Sequence, residues 1–361
     1  MISYFIVLLL VSLFAWMAER SRTPRILENG DVEYQKTVYT AWFFAVSALL
    51  LTCMAGFRYH VGTDYKSYYA FYDIYKNFSF KEDFDILEEP LIVLISKVAS
   101  IIYDSPYTMF FLISFVTVGF ALYSIYGETE DFTFVILLYV FVGCWHSSFN
   151  GMRQCLAVAI VFLGRKYITD RKLLKYLLVC FVAFLAHRSA MVCVLFYFIY
   201  SKRFSIKRLI VVLVATFIIS FNYEAAFGFI GWLNNSEFIA NEYTATSVSA
   251  LRTLVAICPA VVGVYYAITR KLDKQQIFYV YMMVINAAIR IATSDSAYLY
   301  RLGMFPAIFL PLGLSAITRS CDPKYRKIFR IGIVAFFFLY WLYEITNSVT
   351  LFEFEWIFGR I

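Results

Sequence analysis

Long apolar runs separated by short polar gaps make up most of this 361-residue chain. They are Ile2–Met17, Val38–Phe57, Leu87–Tyr103, Tyr107–Tyr126, Phe132–Trp145, Met152–Ile168, Leu173–Ala186, Ala190–Tyr200, Leu209–Phe221, Leu251–Thr269, Ile277–Ala292, Leu299–Ile317 and Ile328–Ile345. Most approach the roughly 20 residues that carry a helix across about 30 Å of hydrocarbon. They show no period-two alternation of the barrel type, and a bilayer core accepts only a backbone whose polar groups are satisfied internally. The pattern predicts an all-α integral membrane protein.

The polar gaps predict a topology. Cations collect around Arg20–Arg25, Arg165–Lys175, Lys202–Arg208, Arg270–Lys274 and Arg319–Arg330, as expected of cytoplasmic loops. The more acidic segment 58–86 and the long segment 222–250 then fall outside, where they are expected to cover a site. Five apolar runs separate the first basic gap from Arg165, whereas a return to the cytoplasm needs an even number. Making 87–103 a re-entrant or interfacial helix repairs the parity, since it opens on Glu88, Glu89 and Pro90 and carries Lys97. About 12 transmembrane helices remain, in a single polytopic membrane domain (1–361) with both termini outside. The first run lacks a preceding basic region and a cleavage site, and is read as a retained span.

Composition narrows the function classes. Charged residues are 16% and hydrophobic ones 61%, against about 25% charged in soluble domains. The net charge of +7 lies in the gaps, not in a groove or stripe, so membrane topology accounts for it and no nucleic acid is implied. Seven cysteines stand singly without a CxxC or CxxH pair, which supports neither a disulfide framework nor a zinc site. No metal and no cofactor is expected.

Four polar constellations stand out, all on the expected outer side. Arg58-Tyr-His-Val-Gly-Thr-Asp64-Tyr65 places an arginine and an aspartate around a turning glycine, with Glu89-Pro90 as a further outer acid; they either anchor the chain at the interface or face a polar ligand. In Ser147-Ser-Phe-Asn150-Gly-Met-Arg153-Gln154, a turn leads into a helix start, where free N–H groups favour anions and a forked guanidinium suits phosphate. His187, in Ala186-His-Arg-Ser189, interrupts an apolar stretch and is either a general base or a hydrogen-bonded structural residue. Arg290, Asp295 and Arg301 flank a late turn, where they either pair across two helices or meet a ligand.

Taken in order, Arg58-x-x-Val-Gly-Thr-Asp64-Tyr, Glu89-Pro90, Phe149-Asn-Gly-Met-Arg153-Gln154, His187-x-Ser189 and Tyr300-Arg301 resemble the EpsG family of bacterial exopolysaccharide clusters. That family is similar in role to Wzy-type O-antigen and capsule polymerases. The resemblance implies a metal-independent glycosyltransferase in the bacterial cytoplasmic (inner) membrane, with its active site facing the periplasm or cell exterior. It would transfer a glycan from undecaprenyl diphosphate to a sugar hydroxyl of another lipid-linked repeat unit. The partners implied are this lipid-linked oligosaccharide, as donor and acceptor, and the bilayer; a chain-length regulator is left open. On that resemblance Arg153 and Arg301 would hold the diphosphate with Arg58 and Arg290 as helpers, and His187, or failing it Asp64, would activate the hydroxyl. Asn150, Gln154 and Glu89 would meet sugar or phosphate. A ligase or acyltransferase of the same pathway, or a flippase or exporter of lipid-linked oligosaccharide, are the competing readings. A transporter is expected to carry ionisable residues midway along its spans.

Overall fold

The computed structural model describes residues 1–26, 32–79, 89–200, 203–221 and 247–358. These residues are overwhelmingly helical and fall into two compact units. One comprises Met1–Tyr167, Lys172–Val194 and Ile328–Ile361; the other comprises Ile168–Arg171 and Leu195–Lys327.

The first unit opens with α1 (Ile2–Arg20), whose chain turns through a two-stranded hairpin, β1 (Thr23–Ile26) and β2 (Val32–Gln35), into α2 (Val38–Gly56). Thr37 and Thr40 form a capping box that starts α2, satisfying N–H groups that otherwise lack partners. A short strand β3 (Arg58–Tyr59) leads to the aromatic-rich α3 (Tyr65–Asn77). Then come α4 (Pro90–Ile102), α5 (Pro106–Glu128), α6 (Phe132–Phe141), α7 (Cys144–Asn150), α8 (Met152–Leu163), α9 (Arg165–Thr169) and α10 (Leu173–Ala186). A 3-10 stretch (Arg188–Leu195) passes to α11 (Phe196–Ile199), which belongs to the second unit.

In the second unit, α12 (Ile206–Phe221), α13 (Ala250–Thr269) and α14 (Lys274–Ala292) are followed by α15 (Ala297–Tyr300), a 3-10 turn (Arg301–Gly303), α16 (Met304–Ala307) and α17 (Leu310–Arg319). Every residue from Gln276 to Ile289 of α14 is buried, so this helix is the core of its unit. The long α18 (Pro323–Thr346), α19 (Val349–Phe352) and a strand β4 (Glu355–Trp356) close the chain.

Among the described residues, five helices are long and apolar enough to cross a membrane: α1, α2, α5, α13 and α18. Two bent pairs, α6 with α7 (41°) and the Ala297–Ala307 segment with α17 (45°), raise the number to seven if each is one span. Gly143 lies at the first bend, and Pro306 and Pro311 flank the second, which are the residue types that kink helices. An all-α membrane protein is therefore established, while the expected figure of about 12 spans is not reached among the described residues. The shorter apolar helices account for much of the gap, because a run that reads as 16 or more residues in sequence is broken in space. Met152–Ile168, for example, is divided into α8 and α9 at Gly164.

Hydrogen bonds and ion pairs mark two ends of the first unit. At one, the Met1 amine donates to the Phe352 carbonyl, β3 pairs antiparallel with β4, and the Gly62 N–H donates to the Thr350 carbonyl. At the other, Arg22 pairs with Glu130, the Thr133 N–H donates to Glu19 at 2.7 Å, Arg165 pairs with Glu128 at 2.7 Å, and Arg330 pairs with Asp131 at 3.2 Å. Helices α1, α2, α5 and α18 each run between these ends. By contrast α4, 13 residues and about 20 Å long, begins beside the start of α8. It finishes where Asp104 meets Tyr72 and Lys76 of α3, two residues before α5 begins. Of the expected helix 87–103, residues 87 and 88 lie outside the described residues, as do 80–86 and 222–246 of the expected covering segments.

Candidate functional site

The Val-Gly-Thr-Asp and Asn-Gly-x-Arg-Gln signatures, far apart in sequence, meet in the first unit. Asn150, the last residue of α7, accepts the Thr63 N–H through Oδ1 at 2.7 Å. Gly62 has φ +107 and lies so close that an added Cβ would run into the Phe149 carbonyl, so only glycine fits this contact. Arg58 is fully buried between the rings of Phe110 and Phe149. Its guanidinium donates to the carbonyls of Ala55, Val61 (3.1 Å) and Phe149 (3.2 Å) and approaches Met152 Sδ at 3.1 Å. Burial draws its pKa down to about 10, partly offset by Tyr65, Tyr4 and Tyr68, so it remains charged at neutral pH. Arg58, expected to help hold the diphosphate, and Asn150, expected to meet sugar or phosphate, are both engaged within the protein. Arg58 has no exposed face with which to reach a diphosphate, and the Asn150 carbonyl oxygen is committed to the 58–64 loop. Both build the loop that positions α3.

Asp64 is half-buried and accepts the Thr63 hydroxyl at 3.0 Å. One turn further on, Tyr68 is buried with its ring facing the Arg153 guanidinium, 5.8 Å from centroid to Cζ. Burial pushes the Tyr68 phenol pKa up, against the pull of Arg153. Tyr68 was not singled out by motif, although Tyr65, Tyr68 and Tyr72 form an i, i+3, i+7 stripe that marks the inward face of α3.

Glu89 is the hub. It is only 4% exposed and sits in the left-handed region at φ +61, immediately before Pro90 and the first turn of α4. One carboxylate oxygen accepts from His187 Nδ1 and from the Arg188 N–H at 3.4 Å; the other lies 2.8 Å from Arg153 Nη1. Burial alone would raise the Glu89 pKa, but the His187 hydrogen bond, with the charges of His187 and Arg153, outweighs it and holds the carboxyl below the ordinary range. Among the described residues, Arg153 Nε and Ser189 Oγ are buried without a hydrogen-bond partner. Glu89, expected to meet sugar or phosphate, contacts His187 and Arg153. Gln154 is buried on α8 next to Arg153.

Arg290 and Arg301 belong to the second unit. Arg290 lies over the Tyr300 ring at 4.0 Å and reaches Asn286 Oδ1 at 3.5 Å, in space that Gly303 leaves open. Arg301 opens the 3-10 turn that follows α15 and is half-buried. Among the described residues, no group of three His, Cys, Asp or Glu side chains could hold a metal ion.

The model of the EpsG family matches residues 41–357, which take in most of the first unit, all of the second and every one of these motifs. The chain belongs to the EpsG family. No curated protein and no solved structure matches it. Membership makes this EpsG protein an exopolysaccharide-associated membrane protein, and the cluster around Glu89 joins His187 and Arg153 on one buried carboxylate.

Proposed function

We propose that this EpsG protein is a polysaccharide polymerase that joins undecaprenyl-diphosphate-linked repeat units outside the cytoplasmic membrane. The observation that carries the reading is the convergence of His187, just past the end of α10, and Arg153, on α8, on one buried carboxylate. The pairing sets a candidate base beside a candidate diphosphate cation. In the reaction, the acceptor hydroxyl loses its proton to His187 while its oxygen bonds the anomeric carbon of the donor glycan. The bond from that carbon to the diphosphate oxygen breaks, and the electron pair leaves on undecaprenyl diphosphate. Arg153 would stabilise the charge growing on the leaving oxygen, a contribution of about 3–4 kcal/mol for a well-placed donor. Arg301 and Arg290 are further candidates for the diphosphate, and Asp64 is the alternative base.

The orientation follows the cations. Arg20, Arg22, Arg165 and Arg330 lie toward the end opposite Glu89, which is assigned to the cytoplasm. In the five candidate spans the charged residues lie toward the helix ends, Glu19 and Arg20 in α1 and Glu128 in α5 among them, a pattern that favours one-sided chemistry over transport. The test is to incubate purified protein with a defined lipid-linked repeat unit. A ladder of chain lengths supports polymerisation; transfer of single units to a non-lipid-linked acceptor without a ladder points to a ligase; movement of intact substrate across vesicles without either product overturns the enzymatic reading.

A further inference from the structure

We propose that Glu89 is the positioning residue of the base, fixing His187 in the one tautomer that can accept a proton from the acceptor hydroxyl. The inference rests on the polymerase reading and adds a residue role to it.

An ionised carboxylate only accepts hydrogen bonds, so its contact with Nδ1 places the imidazole proton on that nitrogen. Nε2 is then the lone-pair nitrogen. His187 retains 18% side-chain exposure, and Nε2 has no protein partner among the described residues. The same carboxylate is held against rotation by the Arg188 N–H and by Arg153. When His187 takes the proton, the imidazolium forms against a buried negative charge, which stabilises it. This is the division of labour in which a carboxylate orients and steadies a base without itself being protonated.

The backbone carries an independent sign of this role. Glu89 is one of three described non-glycine residues with positive φ, the others being His60 and Arg171. It also precedes a proline, where the chain favours an extended conformation. Such a conformation is strained and persists where the surroundings over-determine it. Here three contacts to one carboxylate do so. Among the described residues, the ionisable group in contact with His187 is Glu89 at the start of α4, with Arg188 next to it in sequence, while Arg153 from α8 acts through Glu89 and Tyr68 from α3 acts through Arg153.

The experiment follows polymer ladder formation per folded molecule against pH for wild type, Glu89→Gln and Glu89→Asp in defined detergent. Glutamine keeps the size of the side chain and removes its charge, so kcat should fall by about 10²–10⁴. Its acid limb should move to lower pH, because the imidazole loses its counter-charge. Aspartate keeps the charge, so its limb should stay nearer the wild-type position even where the rate falls. An unshifted limb in Glu89→Gln overturns the positioning role. If glutamine prevents folding, Glu89→Asp decides: wild-type activity per folded molecule at reduced abundance means that Glu89 is structural only. A wild-type protein that makes no ladder at any pH removes the polymerase reading itself, an outcome distinct from both.

Discussion

Arg58 and Arg153 both stand in polar motifs, and burial separates their roles. Arg58 is enclosed on all sides by carbonyls and rings, so replacing it leaves buried acceptors unsatisfied, at about 1–3 kcal/mol each. Arg58→Lys should lower abundance and melting temperature while ladder formation per folded molecule stays near wild type. A Lys variant that folds normally and loses activity would instead return Arg58 to the diphosphate. Arg153 keeps 31% of its side chain exposed. Arg153→Lys preserves charge but loses the fork, so activity per folded molecule should fall strongly, and Arg153→Ala should fall by at least about a hundredfold. Near-normal specific activity in a folded Arg153→Ala protein would dismiss the diphosphate site. Glu89 adds a pH dependence with a definite sign. Its folded pKa is depressed, so its ionised form contributes stability above the ordinary carboxylate pKa of about 4.3, lost as pH falls through the folded value. The difference in melting temperature between wild type and Glu89→Gln should therefore shrink on acidification below that range, and a constant difference would argue against an ionised Glu89.

Elements explain what the motifs left open. The Val-Gly-Thr-Asp and Asn-Gly-x-Arg segments were legible as special because glycine, asparagine and arginine rarely cluster between apolar runs. That they recognise one another was not legible, since the Thr63–Asn150 bond spans 87 residues of sequence. Likewise His187 was visible as an interruption and Glu89 as an acid before proline, but their pairing across 98 residues has no local signature. The membrane class and the helices of span length followed directly from hydropathy. The breaks within apolar runs did not, because Gly143 and Gly164 are ordinary residues in a transmembrane sequence. A substitution of Gly62 tests the loop contact. Alanine there faces both a positive φ and the Phe149 carbonyl, so Gly62→Ala should release the 58–64 loop, detected as faster proteolysis within it at unchanged cleavage elsewhere. Wild-type protease resistance would show that the loop tolerates a side chain.

At the scale of the whole molecule, membrane orientation is the property on which the proposed chemistry depends, since a lipid-linked donor displayed outside can be used only by a site facing that way. In the first unit, Met1, Glu89, His187 and the α18–α19 junction gather at one end, while the cation-rich contacts of Arg22, Arg165 and Arg330 gather at the other. Lys and Arg next to spans are retained on the cytoplasmic side, so the Glu89 end should be external. Single cysteines placed in a background lacking the seven native ones read this directly. Asn347→Cys and Tyr103→Cys are at exposed positions of the Glu89 end and should both react with a membrane-impermeant maleimide added to intact cells. Asp170→Cys, exposed between α9 and α10, should react only after the membrane is opened. Tyr103 carries a second question, because it lies just past α4. If α4 crossed the bilayer, Tyr103 and Asn347 would label from opposite sides, and α5 would have to start at the cytoplasmic face. Labelling of Asp170→Cys in intact cells would invert the molecule, put the Glu89–His187–Arg153 cluster in the cytoplasm, and leave a polymerase of externally displayed units without access to its substrate.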